Sequence, residues 1–409
     1  MKKLLLVLCV LTLALGAAFA QGITLEQNKP EIDAFLKAYA ATWAKTNVPV
    51  TIKSVGGGSG ADLGTQLKAD LAAGDMPDIF SIAGIQDYND WSSITLDLSG
   101  EKWVKDTSVP FKVDGKVYGF PVSVEGWGLA YNADILKKAG VDPKTLVNYA
   151  GYKAAFAKID SQKAALGIKS VVSMAASLDM AWVTGDHNFN SLLSNGLPYG
   201  DKSVTNDLLA GKVDAARLSQ YADWVELLFK YADQAVLTTG NYDAQVNAFA
   251  TGQAAFLHQG NWVDPNMASA KATFTMAFAP HGSMTKTTDG IFVSAPSFYV
   301  INKNSKNVAA AKKFLNDLVY TDAGNKYIVQ DAGMIPAFKN IKLNPTGQLS
   351  KSVQAYAAAG KIYSWNQYDF TTDFRQKTLA PIYNQFATGA ITKAQFIDLM
   401  TKAFKSLAQ

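Results

Sequence analysis

The sequence predicts an α/β protein built from two lobes, and three observations support this expectation. Apolar extended segments alternate with amphipathic helical segments, a pattern typical of sheets covered by helices. The chain has 409 residues, more than one hydrophobic core usually holds. No Pro- or Ser-rich linker and no repeat interrupts the alternation. We therefore expect the chain to cross between the lobes on ordinary strands.

The first twenty residues predict a secretory signal peptide. A basic start, MKK, precedes an apolar stretch, Leu4–Leu15, that is too short to span a bilayer, and Ala18-Phe19-Ala20 is a small-x-small cleavage site. The single cysteine, Cys9, lies inside the apolar stretch rather than at its end, which argues against lipidation. We expect a mature chain that begins at Gln21, is located in the periplasm and carries no disulfide or reactive thiol.

The first part of the mature chain predicts a β-α-β order. Apolar residues recur at helical spacing from Pro30 to Lys45, and residues 48–55 form an extended apolar segment. The glycine-rich stretch at 56–60 is either a flexible loop or a loop that lines a cleft. A helix over Gly64–Ala73 and a buried strand over 77–84 complete the unit, which favours a parallel sheet.

The remaining elements follow from turn signals and periodicity. Asp114-Gly115 predicts a hairpin turn, and Thr392 with Gln395 predicts a capping box that begins the last helix. We further expect helices over Asn132–Ala139, 206–232 and Asn307–Tyr320, and strands over 274–280 and 292–301.

Several chemistries lack their sequence signals. Nucleophile elbows, phosphate-binding loops and dinucleotide fingerprints are absent from the sequence. His187, His258 and His281 have no metal-ligand spacing, and His258 is interpreted as structural. The formal net charge is only +4 and the lysines are scattered, so nucleic-acid binding is not expected. No cofactor and no metal are expected.

Four separated segments combine an acid or amide with tryptophan. Amides and carboxylates can hydrogen-bond the paired hydroxyls at the edge of a sugar ring, and aromatic rings can stack on its C–H face. Trp43 and Trp224 fall on apolar helix faces and are assigned to the core. Core packing is the alternative for every tryptophan in these segments. The candidate site residues are Glu125 with Trp127, Asp179 with Trp182, Gln259 and Asn261 with Trp262, and Trp365 with Asp369.

Five blocks, in this order, resemble the extracellular solute-binding proteins of bacterial ABC importers, in their sugar-binding group. The resemblance covers nearly the whole mature chain. It departs from the family pattern before the second strand, where an acid–lysine pair has no clear match. The blocks are AAGDMPDIF (72–80), DGKVYGFPVSVEGWGLAYNADILKKAGVD (114–142), FATGQAAFLHQGNW (249–262), residues 301–341 and FATGAITKAQ (386–395).

The resemblance implies a periplasmic-binding-protein fold, with two α/β lobes joined by a multi-strand hinge and a ligand cleft between them. After the signal peptide (1–20), the N-terminal lobe would comprise 21–123 plus 294–332 and the C-terminal lobe 124–293 plus 333–409. Hinge crossings are expected near Val122–Trp127, Asp289–Ser294 and Asp331–Pro336. The resemblance also implies solute contacts from Glu125 and Trp262, and a polar contact from Asp87.

The implied function is that of a periplasmic receptor that captures a sugar or oligosaccharide by lobe closure and delivers it to an ABC transporter permease. Such a receptor is a monomer, makes and breaks no bond, and could also meet a chemoreceptor. Two alternatives stay open. The first is a receptor of the same fold for a non-sugar solute, and the second is a secreted carbohydrate-active enzyme that would bind sugar with the same aromatics.

Overall fold

The structure is a computed structural model that describes residues 22–56 and 62–408. The predicted signal peptide and most of the predicted glycine-rich loop lie outside these ranges. Within them, no helix is both long enough and apolar enough to cross a bilayer.

The strands of the described ranges form three sheets. They are β1 (Ile23–Gln27), β2 (Val50–Ser54), β3 (Ile79–Ile82), β4 (Phe111–Val113), β5 (Lys116–Pro121), β6 (Glu125–Trp127), β7 (Leu129–Asn132), β8 (Ser170–Ser173), β9 (Ala254–Leu257), β10 (Met276–Ala279), β11 (Ile291–Ser294), β12 (Phe298–Ile301) and β13 (Ile362–Tyr363).

Helices cover the sheets and fill the space between them. They are α1 (Asp33–Trp43), α2 (Leu63–Ala73), α3 (Ile85–Trp91), α4 (Ala133–Ala139), α5 (Tyr149–Asp160), α6 (Lys163–Leu166), α7 (Phe189–Ser194), α8 (Ser203–Leu209), α9 (Ala215–Lys230), α10 (Gln234–Thr239), α11 (Tyr242–Ala250), α12 (Asp264–Ser269), α13 (Val308–Tyr320), α14 (Asp322–Lys326), α15 (Gln348–Ala358), α16 (Ala380–Ala387) and α17 (Lys393–Lys405). Three further turns are π-helical, Val183–Asn188, Tyr327–Asp331 and Asp373–Leu379.

The first lobe is built on a six-stranded sheet with the order β2-β1-β3-β12-β5-β4. β1 lies parallel to β2 and β3, which confirms the predicted β-α-β start, and β12 runs antiparallel to both β3 and β5. Helices α1 and α13 pack on it through a common apolar core that contains Trp43 and Phe314. The sheet is therefore completed by a strand that returns from late in the chain.

The second lobe is built on a four-stranded sheet with the order β10-β7-β9-β8. Its core surrounds Trp224, Tyr152 and Phe256, and Trp224 is fully buried as predicted. A third sheet, β13-β11-β6, lies next to it, with β6 antiparallel and β13 parallel to β11.

The predicted strand over 292–301 is wrong, because the chain crosses the hinge within it. Residues 292–301 read as one continuous apolar strand, but the structure divides them into β11 and β12, which belong to different sheets. Pro296 lies in the break and has no backbone N–H for a ladder. The neighbouring crossing runs from β5 to β6. Val122 donates its backbone N–H to Ser297 (3.0 Å) and Val124 donates to Ile335 (2.9 Å), so three chain segments are joined at the hinge.

Two further differences have local causes. The single helix predicted over 206–232 is two helices, α8 and α9, because Gly211 adopts a left-handed conformation (φ 71°) and the Asp214 side chain caps α9. The sequence analysis did not predict strand β1, which begins two residues after Gln21, the predicted start of the mature chain.

The predicted turn and capping box are both present. Asp114 and Gly115 have positive φ angles of 49° and 80°, as a two-residue hairpin of type I′ requires. The side chains of Thr392 and Gln395 bond each other's backbone at the start of α17.

The buried acid Glu26 on β1 predicts a pH-dependent stability. Burial, reinforced by the Asp70 carboxylate, raises its pKa from about 4.5 to about 7, although Lys53 lies 3.9 Å away. The folded chain therefore holds this proton more tightly than the unfolded chain, and stability falls as pH rises from about 4.5 to about 7. We expect Glu26→Gln to raise the melting temperature at pH 8 by a few degrees and to change it little at pH 5.

Glu226→Gln is the control for this experiment. Glu226 lies on the surface of α9 in an ion pair with Lys393, so its substitution should not alter the pH profile of the melting temperature. A Glu26→Gln protein that melts with the same pH profile as the unmodified chain would show that Glu26 is not the responsible group.

Candidate functional site

A cavity of about 740 Å³ lies between the two lobes. One wall is formed by the segment after β1 and by α2 and α3. The other wall is formed by the π turn Val183–Asn188, by Trp262 and by residues from Trp365 to Lys377. Clefts of this size commonly hold small solutes.

The structure brings six of the ten predicted site residues to this cavity, and four lie elsewhere. Those that line it are Asp87, Glu125, Asp179, Trp182, Trp262 and Trp365. Those that do not are Trp127, Gln259, Asn261 and Asp369.

Trp127 lies behind the cavity wall instead of in it. Its side chain is fully buried and stacks on Phe292, with ring centroids 4.2 Å apart. The rings of His187, His258 and His281 pack around its other sides at 5.2–5.5 Å. Trp127 is therefore a core residue, which is the alternative that the sequence left open for every tryptophan in these segments.

Gln259 and Asn261 support residues at the cavity. Gln259 accepts a hydrogen bond from the Trp262 indole (2.9 Å) and donates one to Gln245 (2.9 Å), which fixes the orientation of the indole. Asn261 accepts from the backbone N–H of Gly126 (2.8 Å) and donates to Ser350 (3.0 Å). These amides hold the wall in place.

Asp369 lies where the two walls touch. Its carboxylate pairs with Lys202 (2.7 Å), and its backbone carbonyl accepts from the Gln86 side chain on α3 (3.1 Å). Next to this bond, a Cβ added at Gly84 would lie 2.7 Å from the Cβ of Tyr368. Only a glycine allows so close an approach, so the lobes are in contact at this edge.

Three tryptophans at the cavity present faces in different directions. Trp262 meets Trp182 with centroids 6.4 Å apart at 61°, and it meets Trp365 at 6.3 Å and 79°. Tyr368 extends the wall beyond Trp365 at 6.3 Å. Rings at such angles offer separate flat surfaces rather than one continuous plate.

The sequence analysis missed an ion pair between two π turns. Arg375 on the turn Asp373–Leu379 bonds the Asp186 carboxylate on the turn Val183–Asn188, and Gln376 donates to the same carboxylate (3.0 Å). Burial raises the pKa of Asp186, and Arg375 opposes that effect. A Cβ at Gly185 would lie 2.2 Å from the carbonyl oxygen of Arg375. The pair of turns therefore requires glycine at this position.

A second missed group lies between β1 and α1. Lys29 Nζ bonds Glu125 Oε1 (2.5 Å) and Glu31 Oε1 (2.8 Å), and Ser123 also donates to Glu125 (2.8 Å). Burial alone would lower the pKa of Lys29, but the two carboxylates outweigh it and raise that pKa. An acid and a lysine therefore lie at the cavity, although the resemblance offers no match for such a pair. The polar run NKPE (28–31) is the signal that could have found them.

The two aspartates at opposite walls differ in their surroundings. Asp87 accepts from the backbone N–H of Ala83 (2.8 Å) at the start of α3. Burial raises the pKa of Asp87, and Arg375 across the cavity lowers it. Asp179 lies exposed on the rim, in a short 3-10 turn, Leu178–Met180.

Each cationic side chain that lines the cavity within residues 22–56 and 62–408 already has a carboxylate partner. The pairs are Lys29 with Glu31 and Glu125, Lys68 with Asp90, Arg375 with Asp186, and Lys377 with Asp373. In the same ranges no group of three or more histidine or acidic side chains is placed to hold a metal ion. The walls thus offer acceptors, amides and aromatic faces.

Comparison with known proteins identifies the family. A family profile described as bacterial extracellular solute-binding protein matches residues 27–326. The chain belongs to this family. The multiple sugar-binding protein of Streptococcus mutans is 26% identical over 371 residues, covering 85% of this chain and 84% of that protein. A maltooligosaccharide ABC transporter solute-binding lipoprotein of Streptococcus pneumoniae is 24% identical over 324 residues, covering 76% and 70%.

Solved structures of similar fold support the two-lobed architecture. The solute-binding protein RafE in complex with raffinose superposes with a TM-score of 0.78 at 18% identity, covering 95% of this chain and all of that one. A sugar transporter protein from Bacillus licheniformis in complex with stachyose gives a TM-score of 0.73 at 18% identity, with the same coverage. The predicted periplasmic-binding-protein fold is confirmed.

The close contact of the two π turns predicts a strict requirement at Gly185. Gly185→Ala would force the Arg375 carbonyl away, so we expect a loss of about 1–3 kcal/mol in the free energy of unfolding. Urea denaturation measures this loss. Gly100→Ala is the matched control, because a Cβ there meets no atom within 4 Å. Equal stability of the two variants would contradict the described contact.

Proposed function

We propose that the protein is a receptor that captures a sugar or oligosaccharide between its lobes and delivers it to an ABC transporter permease. The observation that carries this proposal is the cavity wall, in which three tryptophan faces lie beside buried carboxylates. That combination suits a ligand with apolar C–H faces and a polar rim of hydroxyl groups.

Residues from both walls take part in the proposed contacts. Trp182, Trp262 and Trp365 supply stacking faces from one wall, and Asp87 supplies an acceptor from the other. Glu125 lies at the hinge between the walls. A solute touches all of these groups only when the lobes are closed, so it shifts the population toward the closed form. The bond from Gln86 to the Asp369 carbonyl is one contact that such closure would make.

The charges of the cavity favour a neutral solute. An anionic ligand would need a cation, and the cations described there are engaged by carboxylates in the pairs given above. Asp87 and Asp179 add further carboxyl groups, which offer an anion no opposite charge. A non-sugar solute of anionic character is therefore the poorer alternative.

The relatives support both the solute class and the transport role. One is named as a multiple sugar-binding protein, one as part of a maltooligosaccharide ABC transporter, and two structural neighbours hold raffinose and stachyose. These relatives are binding proteins, which supports a receptor that performs no chemistry.

The cellular arrangement and the lobe boundaries extend the same proposal. We infer that the first twenty residues are cleaved and that the mature protein works in the periplasm as a monomer, with a chemoreceptor as a further partner. The lobes would comprise 21–123 plus 294–332 and 124–293 plus 333–409. The distribution of β1 to β5 and β12 in one sheet supports this division.

A thermal-shift screen of residues 21–409 tests the proposed function. The panel contains neutral mono- to tetrasaccharides, including raffinose and stachyose, together with uronic-acid oligosaccharides of equal length. We expect a neutral oligosaccharide to raise the melting temperature, since a ligand that binds only the folded state stabilises it, and we expect its uronic-acid counterpart to raise it less. Every hit is then recovered and analysed chemically.

Three outcomes would oppose the proposal. A cleaved sugar would favour a carbohydrate-active enzyme. A shift with amines, metals or anions but with no sugar would keep the fold and overturn the solute class. Stronger stabilisation by the uronic acids would contradict the reading of the cavity charges.

The tryptophan wall gives a direct mutational prediction. Trp262→Ala removes a stacking face, so we expect sugar affinity to fall tenfold or more, about 1.4 kcal/mol, as measured by isothermal titration calorimetry. Trp43→Phe is the control, because Trp43 packs in the first lobe's core away from the cavity. It should lower the melting temperature and leave affinity unchanged. Normal binding by Trp262→Ala would remove Trp262 from the site.

A further inference from the structure

The π turn Val183–Asn188 places His187 in the cavity wall. The sequence analysis gave this histidine no role beyond excluding a metal site. His187 lines the cavity and lies at the centre of the three tryptophans. Its ring centroid is 4.9 Å from that of Trp262, 5.3 Å from that of Trp182 and 5.4 Å from that of Trp365. Turns of this widened type are frequent at functional sites.

The imidazole of His187 has unused hydrogen-bonding capacity. In the part of the chain that the structure describes, neither of its ring nitrogens has a hydrogen-bond partner, and the residue is only 6% exposed. Unlike those of His258 and His281, the ring nitrogens of His187 are not fully enclosed, so water or a ligand can serve as their partner. The cavity is the space from which such a partner can reach His187.

Comparison with the two other histidines separates this position from a merely buried one. His258 and His281 also lack partners among the described residues, but both are fully enclosed and neither lines the cavity. His187 alone of the three faces space large enough for a solute.

The surroundings keep His187 uncharged. Burial lowers its pKa well below the ordinary value, and His258, Arg375 and Lys29 act in the same direction. A neutral imidazole has one nitrogen that donates and one that accepts. A sugar hydroxyl also donates and accepts, so the two groups are complementary.

We propose that His187 is a specificity-determining residue that hydrogen-bonds a hydroxyl group of the bound sugar, while the surrounding tryptophans stack on the sugar's faces. This inference rests on the proposed function and deepens it. The solute it implies is a neutral sugar that carries a hydroxyl, and not a deoxy group, where it meets the edge of the imidazole. Asp186 precedes His187 on the same turn, and its bond to Arg375 on the neighbouring turn helps to position the ring.

Two substitutions of His187 test the proposal, with calorimetric affinity for raffinose, or for the neutral oligosaccharide that gives the largest thermal shift, as the readout. His187→Phe keeps an aromatic ring and removes both hydrogen-bonding groups, so we expect affinity to fall tenfold or more. His187→Gln keeps a donor and an acceptor, so we expect it to retain more affinity than His187→Phe. Tyr39→Phe is the control, because Tyr39 packs in the first lobe's core away from the cavity, and this variant should bind as the unmodified chain does.

Melting temperatures and the ring signals of His187 separate binding from folding. We expect the ¹⁵N chemical shifts of its ring nitrogens to change when sugar is added, whereas those of His281 should move less. Equal affinity of His187→Phe and the unmodified chain, or equal losses in the Phe and Gln variants with unmoved ring signals, would overturn the inference and leave the receptor intact. Failure of the unmodified chain to bind any neutral sugar would overturn the proposed function, and with it this inference.

Discussion

The buried ion pair between Lys29 and Glu125 is the interaction on which the arrangement of the site depends. Lys29 follows β1 in the first lobe, whereas Glu125 begins β6, where the chain has just left that lobe. Both side chains are less than a tenth exposed, and a charge so enclosed is strongly unfavourable without its partner. The pair therefore holds the start of β6 against the first lobe at one fixed position.

The order of residues after Glu125 carries that constraint into the second lobe. The backbone of Gly126 is bonded by Asn261, and the ring of Trp127 packs against His187. Asn261 is followed by Trp262, whose indole is oriented by Gln259. The hinge thus sets the register of β6, β6 sets the packing behind the cavity, and that packing supports the tryptophan faces in front of it.

The aromatic residues of the cavity walls could be predicted from the sequence, but the ion pairs that connect distant segments could not. Trp182, Trp262 and Trp365 were recognisable because each lies beside amides or acids in its own short segment. The pairings of Lys29 with Glu125 and of Arg375 with Asp186 were missed because the paired residues are far apart in the chain, and only folding brings them together. Trp127 was a candidate for the site because it lies two residues after the acid Glu125. A Cβ at Gly126 would instead meet Val353 at 2.7 Å, so that glycine serves close packing. The division of 292–301 into two strands had one signal in the sequence, Pro296. The prediction of a single strand followed the apolar pattern and gave this proline no weight.

Lobe closure around a neutral sugar is tested most directly by small-angle X-ray scattering of residues 21–409 with and without a bound oligosaccharide. Without sugar, a population of open lobes should give a larger radius of gyration than the described structure. Saturation with the sugar should reduce the radius of gyration to the value calculated for the described structure, in which Gln86 bonds the Asp369 carbonyl across the two lobes. A sugar that binds and leaves the scattering unchanged would contradict capture by closure.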